Sequence, residues 1–416
     1  MTAIDGARLL DDLATLARFG ACGPGVDRVA LSEADIAARR WLAERMREAG
    51  LEATMDRVGN VVGRDPRAAL AILIGSHSDT VPRGGRLDGA LGVIYALEIA
   101  RSLREHEAGG PASPIGIDVV SFQDEEGTYL PFLGSRTFCG TLDEAEIASA
   151  RSADGHPLAD ALRPLAEEPA PHRLDPARHL AFVEAHIEQG PRLEAARKRI
   201  GVVTGIVGIR RFRIVATGAA NHAGTTPMAL RRDAGAALIR IAADLLDRFP
   251  ALAGDETVWN IGAIAFRPGA ANVVPGVAEL SLEMRDLDPA VLDRLEQAAT
   301  ERVAAESAAE SGAGVSATIA RTTTVAPTAM APDLIEAMTA AAQSLGETPV
   351  MLPSGAGHDA MELGRVLPAG MLFVPSIGGI SHDVAEATSD ADIVRGCEVL
   401  AEAVDGLRRR LATAGR

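Results

Sequence analysis

Leu70-Ala71-Ile72-Leu73-Ile74-Gly75-Ser76-His77-Ser78-Asp79 is the stretch that decides the fold. The apolar run 70–74 reads as a buried strand closing at Gly75, with a histidine and an aspartate directly after it. A second apolar run, 115–122, ends at Gln123-Asp124-Glu125-Glu126-Gly127. Between the two stands Asp88, followed by a helical pattern over about 89–106. Strand, helix and strand in that order predict an α/β fold: a mostly parallel sheet flanked by helices on both faces. In an open α/β sheet the ligand crevice lies beyond the carboxyl ends of the strands. Both polar clusters therefore fall where chemistry is expected.

An imidazole among several carboxylates, with no thiolate, suits one or two divalent cations such as zinc, manganese or cobalt. A surplus glutamate beside a ligand is what a metal hydrolase needs as its general base. Among the nine histidines, His106, His156, His172 and His179 sit in polar, helix-end or Pro-rich surroundings and read as structural or surface residues. His77, His186 in Glu184-Ala-His-Ile-Glu-Gln-Gly190, and His382 in Gly378-Gly-Ile-Ser-His-Asp383 each lie just past an apolar run. With Asp88 and Glu126 they make a two-metal set.

Working outward, Ser32-Glu-Ala-Asp35 resembles a capping box opening an amphipathic helix that runs to Gly50. Near Gly208 the pattern changes. Arg211-Phe-Arg-Ile-Val-Ala-Thr217 and Val277-Ala-Glu-Leu-Ser-Leu-Glu-Met-Arg285 alternate polar and apolar, with helical stretches at about 232–249 and 289–308. Those features predict an α+β domain whose sheet has one exposed face. From about 326 the α/β character returns, with a helix near 333–345, strands at 349–352 and 371–374, and a last helix near 390–411. The expected organisation is a catalytic domain of residues 1–208 and 326–416 with an inserted domain of 209–325.

The chain has 416 residues, enough for two domains and a sizeable core. A formal charge of −16 argues against nucleic acid or an anionic membrane as partner, though local arginines can still receive an anionic substrate. Cys22, Cys139 and Cys397 are odd in number and far apart, which favours a reducing compartment. With no apolar run of membrane-spanning length and no basic-then-apolar start, a cytoplasmic protein is expected. Asn221-His-Ala-Gly-Thr-Thr-Pro-Met228 is a loop by composition, and a histidine presented there could donate to a developing oxyanion. Arg285, ending an alternating strand, reads equally as a solvated charge. Asn272-Val-Val-Pro-Gly and Ser354-Gly-Ala-Gly-His-Asp359 read as turns.

Taken together, His77-x-Asp79, Leu87-Asp-Gly-Ala90, Asp124-Glu-Glu126, His186-Ile-Glu-Gln-Gly190, His222-Ala-Gly-Thr-Thr-Pro-Met228, Gly355-Ala-Gly-His-Asp359 and Ser381-His382 resemble the hydantoinase/carbamoylase branch of the dinuclear metallopeptidase and aminoacylase superfamily. The resemblance spans nearly the whole chain, from Gly59-Asn-Val-Val-Gly-Arg64 onward. It implies that His77 and Glu126 contact different metals, Asp88 bridges them, and His186 and His382 complete the shell. It further implies two divalent ions per subunit (zinc, manganese, cobalt or nickel), Asp79 orienting His77 as an outer carboxylate, and Glu125 as base. His222 would stabilise the oxyanion. Gln189, Arg210, His222, Asn272 and Arg285 match positions that hold substrate in relatives, and a guanidinium suits a carboxylate through two parallel hydrogen bonds. The inserted domain would be a lid and the dimer contact of a homodimer.

Two segments depart from the branch. Thr128-Tyr-Leu-Pro-Phe132 stands where relatives commonly have an Arg-Phe pair, and Asp383-Val384 where Asn-Pro is frequent. Both bear on the substrate side chain rather than on the metal ligands. The expected activity is hydrolysis of the ureido group of an N-carbamoyl-L-amino acid to amino acid, carbon dioxide and ammonia. Allantoate amidohydrolase is the nearest alternative. An N-acyl-amino-acid deacylase or peptidase, and a binding homologue without activity, are further ones.

Overall fold

The computed structural model describes residues 3–108, 113–308 and 314–414. The chain forms two compact units, Met1–Thr204 with Ala329–Arg416, and Gly205–Thr328.

The larger unit is built on a nine-stranded sheet. Its centre is four adjacent strands, in the order Ala369–Val374, His179–Ile187, Leu70–His77 and Ile115–Phe122. They are mutually parallel. Parallel strands buried on both faces need continuous apolar runs, and Ile72, Leu73, Ile74, Val119, Val120, Leu372 and Val374 are all fully inaccessible. Burying each such side chain stabilises the fold by about 1.5–3 kcal/mol. The edges are antiparallel: Val61–Arg64 pairs with Ile115–Phe122 and with Glu52–Met55, while Gly201–Ile206 pairs with Ala369–Val374. The Glu52–Met55 and Val61–Arg64 strands are joined by a short turn that Asp56 holds, its Oδ1 accepting the N–H groups of Val58, Gly59 and Asn60. A hairpin that tight can only return antiparallel.

The first strand runs to His77, three residues beyond the apolar run that predicts it. The helix after Asp88 spans Ala90–Glu107. At Ser32 the expected capping box is half formed. Ser32 Oγ accepts the Asp35 N–H, but the Asp35 carboxylate turns to the Leu31 N–H and the Arg39 guanidinium. Asp35, Arg39 and Asp79 are completely buried. A buried charge must be paired, and Arg39 bridges the other two, at 2.8 Å to Asp35 and 3.1 Å to Asp79.

Asp118, in the middle of the Ile115–Phe122 strand, is a second buried charge. It accepts from Arg178 Nε at 2.7 Å and from the Asp65 N–H, with the His179 ring 3.2 Å away. Burial alone would raise its pKa, but Arg178, then His179 and the Asp65 N–H, hold it below the usual value. Asp118→Asn should therefore lower stability by about 1.5–3 kcal/mol at neutral pH, the worth of hydrogen bonds to a charged group. Because the folded pKa is depressed, this contribution is complete above the ordinary carboxylate value of about 4 and is lost as pH falls through the folded value. Thermal unfolding of variant and wild type should differ clearly at pH 7 and converge toward acid. An unchanged difference at both pH values would mean that the charge of Asp118 contributes nothing.

In the unit Gly205–Thr328, strands Val258–Arg267, Val277–Asp286, Gly208–Thr217 and Ser316–Val325 form an antiparallel sheet in that order. Helices Ala234–Leu252 and Pro289–Ala308 cover one face. Alternation puts Phe212, Ile214, Leu280, Leu282 and Met284 under the helices with Leu238, Ile241, Leu292 and Leu295. Arg211, Arg213, Glu279 and Glu283 occupy the other face and pair across it. No helix among the described residues is long and apolar enough to cross a membrane.

Candidate metal centre

Every strand of the parallel centre delivers a polar residue at or just past its carboxyl end. His77 is the last residue of its strand, and Glu125 and Glu126 follow Phe122. His186 sits one residue before the end of its own strand, and His382 follows Val374 after a short loop. Asp88 precedes the helix packed against the Leu70–His77 strand. Between Asp88 and that helix is Gly89, with φ +63 and no room for a side chain, because a Cβ would come within 2.4 Å of the His77 ring. Only glycine meets both demands.

The three imidazoles converge on one carboxylate. Nε2 of His77 and of His186 lie 3.5 and 3.1 Å from Asp88 Oδ1, and Nε2 of His382 lies 3.3 Å from Oδ2. Glu126 Oε1 is 3.5 Å from His382 Nε2, and Glu125 Oε2 is 3.6 Å from His77 Nε2. Ligand atoms group as His77, Asp88 and His186; as Asp88, Glu126 and His382; and as His77, Glu125 and Glu126. Asp88 thus belongs to two of the three.

This donor set fits a divalent cation. His77 Nδ1 lies 3.0 Å from the Asp79 carbonyl and His186 Nδ1 lies 2.9 Å from the Ile187 carbonyl. A ring that gives its Nδ1–H to a carbonyl presents a lone pair at Nε2. Lone pairs of two imidazoles facing carboxylate oxygens repel one another unless a proton or a cation lies among them. The shifted pKa values express that demand. Burial would lower His77, yet Glu125, Asp88 and Asp79 bring it well above its usual value. Asp88 raises His382 to about 9. Burial, then the charge of Asp88, raises Glu126 to about 7. Burial also lifts Glu125 well above the usual range, opposed by His77 and assisted by Glu126, Asp359 and Asp88. The grouped His, Asp and Glu side chains point to divalent metal binding.

Several side chains take other partners than the sequence suggests. The Asp79 carboxylate Oδ1 is 3.9 Å from His77 Nδ1, and the Asp79 backbone carbonyl is the nearer partner of the ring at 3.0 Å. Oδ1 accepts the Asp124 N–H and Oδ2 the Glu126 N–H, so Asp79, braced by Arg39, pins the double-glutamate turn. Gln189 Nε2 donates to Asp88 Oδ2 at 2.9 Å, which puts this residue at the metal cluster.

The remaining expected residues belong to the Gly205–Thr328 unit. His222 pairs with Val273 in a two-stranded ribbon, and the Asn272 carbonyl accepts the Ala223 N–H. The two residues are therefore neighbours. The Gly224 N–H donates to His222 Nδ1 at 3.1 Å, so a neutral His222 carries its proton on Nε2, as an exposed donor. Arg210 and Arg285 lie on opposite faces of the sheet. In the antiparallel register Arg210 is opposite Met284, on the helix-covered face, where it pairs with Glu296 and Asp293 at 2.7 and 2.6 Å. Arg285, opposite Ile209, lies on the other face, 2.7 Å from Glu283. Arg210 is thus held in an ion-pair network with Asp293 and Glu296 in this fold.

The sequence assigns no role to two further residues of the site, His358, which stands in the Gly355-Ala-Gly-His-Asp359 motif, and Glu386. His358 is buried, its ring 4.5 Å from that of His186, and it contacts Ser354 Oγ at 2.9 Å. Burial, then His186, hold its pKa well below the usual value. Glu386 is buried against Leu87, Asp88 and Ser381. The only hint of Glu386 is an acid four residues after His382 in a short loop.

The profile of Peptidase family M20/M25/M40 matches residues 73–406. An N-carbamoyl-L-amino acid amidohydrolase of Geobacillus stearothermophilus is 38% identical over 95% of this chain and 97% of its own length. The allantoate amidohydrolase of Escherichia coli K12 is 34% identical over 94% and 95%. The crystal structure of an amidase of the hydantoinase/carbamoylase family from Burkholderia phymatum superposes with a TM-score of 0.92 at 48% identity, covering 100% of both chains. With the ligand-bearing strand ends, the profile match and near-complete overlap with these relatives in agreement, this chain belongs to Peptidase family M20/M25/M40 and, within it, to the hydantoinase/carbamoylase amidases.

Proposed function

We propose that this hydrolase cleaves the ureido group of an N-carbamoyl-L-amino acid, with two divalent ions per subunit held by His77, Asp88, Glu126, His186 and His382. The observation that carries the reading is the meeting of three imidazole Nε2 atoms on the two oxygens of Asp88, with Glu125 and Glu126 beside them. When bound, such ions supply Lewis acidity and lower the pKa of water. Glu125 takes a proton from the attacking water and passes it to the leaving nitrogen. Water adds to the carbamoyl carbon, the bond from that carbon to the amino-acid nitrogen breaks, and the carbamate released with the amino acid decomposes to carbon dioxide and ammonia. His222 Nε2–H donates to the developing oxyanion, and Arg285 grips the substrate carboxylate, with Gln189 and Asn272 as further contacts. Arg210 is left out, because Asp293 and Glu296 engage it.

The working form in this proposal is a cytoplasmic homodimer joined through the Gly205–Thr328 unit, which also serves as the lid. The edge strand Val258–Arg267, with Val258, Ile264 and Phe266 exposed, supports that assembly, since an open apolar edge invites pairing. The free thiols Cys22, Cys139 and Cys397 support the compartment. A second reading, allantoate as substrate, is favoured by the relatives of that name at 34% and 35% identity.

The deciding experiment is ammonia release from a panel of N-carbamoyl-L-amino acids, N-carbamoyl-β-alanine and allantoate after loading with manganese, cobalt, zinc or nickel. Preferred turnover of the N-carbamoyl-L-amino acids supports the first reading, preferred allantoate the second, and release from none overturns both.

Arg285→Lys keeps the charge and loses the planar fork. Its kcat/KM for carboxylate-bearing substrates should fall by the worth of a charge-assisted hydrogen bond, about 1.5–3 kcal/mol. A substrate amide without the carboxylate should be handled equally by variant and wild type. Equal handling of the carboxylate substrates would remove Arg285 from the site.

A further inference from the structure

Glu386 has no part in the chemistry above, yet only 4% of it is exposed and it lies against the shared ligand of the metal cluster. Its Oε1 accepts the N–H groups of Leu87 and Asp88, both at 3.1 Å. Its Oε2 is 3.0 Å from the Ser381 hydroxyl, which in turn is 3.3 Å from Asp88 Oδ2. One carboxylate thereby ties the backbone of Asp88 to the residue before His382, across 293 positions of sequence.

The fit leaves no slack. A Cβ at Gly85 would stand 1.9 Å from Glu386 Oε1, so the loop reaches the carboxylate only because residue 85 has no side chain. The segment after His382 is itself held: the Glu386 N–H donates to the Asp383 carbonyl at 3.0 Å, and Asp383 Oδ1 accepts the Ala385 N–H at 2.8 Å. His382 is the most exposed of the three converging imidazoles, its side chain 50% accessible, against 1% for His77 and His186. Packing places the other two, whereas His382 depends on its loop.

We propose that Glu386 is a positioning residue that sets the distance between Asp88 and His382 and so preorganises the cation position formed by Asp88, Glu126 and His382. A carboxylate suits the task because it accepts two N–H donors on one oxygen and a hydroxyl on the other. A glutamine at 386 has one accepting oxygen, and its NH₂ would face donors or lose the hydroxyl. Glu386 gives no atom to the cation; it lowers the ordering cost of bringing two distant loops to one spacing.

The inference rests on the metal reading of this cluster, and the test separates the two. Metal-free wild type, Glu386→Gln and Gly85→Ala are titrated with Mn²⁺ by calorimetry, and ammonia release is followed as Mn²⁺ is raised. Loss of a partner outside the ligand shell typically weakens metal binding about 10–100-fold. One Mn²⁺ should weaken by that factor in both variants, and activity should recover as Mn²⁺ is increased. Circular dichroism of the metal-free variants should show the wild-type fold, with melting lowered only by the local rearrangement around Gly85 and Glu386. Gly85→Ala alters no charge, so the same loss there attributes the effect to the clamp's geometry. Wild type that binds no Mn²⁺ overturns the metal reading itself. Variants that bind Mn²⁺ as wild type does, or whose lost activity excess Mn²⁺ does not restore, overturn the clamp alone. If Glu386→Gln does not fold, Gly85→Ala and Ser381→Ala decide, and wild-type Mn²⁺ affinity in both overturns it.

Discussion

Glu125→Gln should keep its metal and lose turnover by about 10²–10⁴-fold, the usual cost of removing a general base. Glu125 sits beside Glu126 with Oε2 3.6 Å from His77 Nε2. Burial and the neighbouring Glu126, Asp359 and Asp88 charges disfavour its ionised form, with His77 opposing them. A carboxylate so placed takes up a proton readily. Glutamine has nearly the same shape and takes none, while three imidazoles, Asp88 and Glu126 remain to hold cations. Elemental analysis and ammonia release on the same preparation check this. Because Glu125 also falls in one of the three ligand groups, with His77 and Glu126, the metal content is decisive. If metal and activity fall together, Glu125 is a ligand; if the variant is active with full metal, it is neither ligand nor base.

His222→Ala should cost about 10²–10³-fold in kcat, the typical loss of one oxyanion donor. The Gly224 N–H on Nδ1 leaves the proton on Nε2 and aims a donor outward, and the Asn221–His222 ribbon holds the ring's backbone against Val273–Val274. His222 lies in the Gly205–Thr328 unit and the metal cluster in the other. In the proposed homodimer the donor serves the partner's site. The check is to mix His222→Ala with Glu125→Gln subunits and allow exchange. Half of the dimers are then mixed, and each mixed dimer holds one complete site, so roughly a quarter of wild-type activity should return for a two-fold assembly. Demonstrated exchange without recovery would mean that His222 acts within its own subunit or not at all.

The sequence by itself determined the α/β character and the location of the chemistry. The runs 70–74 and 371–374 are apolar throughout, and 115–122 is apolar but for Gly116, Asp118 and Ser121, because their strands are buried on both faces. Polar residues immediately past such runs have to gather along one edge of the sheet, whatever the details of packing. That is why His77, Glu125, Glu126, His186 and His382 stand out in sequence and lie together in space. The antiparallel edges were not legible, since short strands such as Val61–Arg64 look alike in either direction and only the Asp56 turn decides between them.

Partners across long separations were set by tertiary structure alone. Nothing local distinguishes Arg210 from Arg285; cross-strand register sends one under the helices to Asp293 and Glu296 and the other to the open face. Asp79 is spaced to serve His77 through its carboxylate, but the buried guanidinium of Arg39 and the N–H groups of Asp124 and Glu126 take that carboxylate, and the backbone carbonyl holds the imidazole. Glu386 reads as an ordinary loop acid until Gly85 lets the Asp88 loop close on it. Periodicity records which face of an element is buried, because that is a property of neighbouring residues. Which partner a buried polar group finds depends on where distant segments come to lie, and only the folded chain decides that.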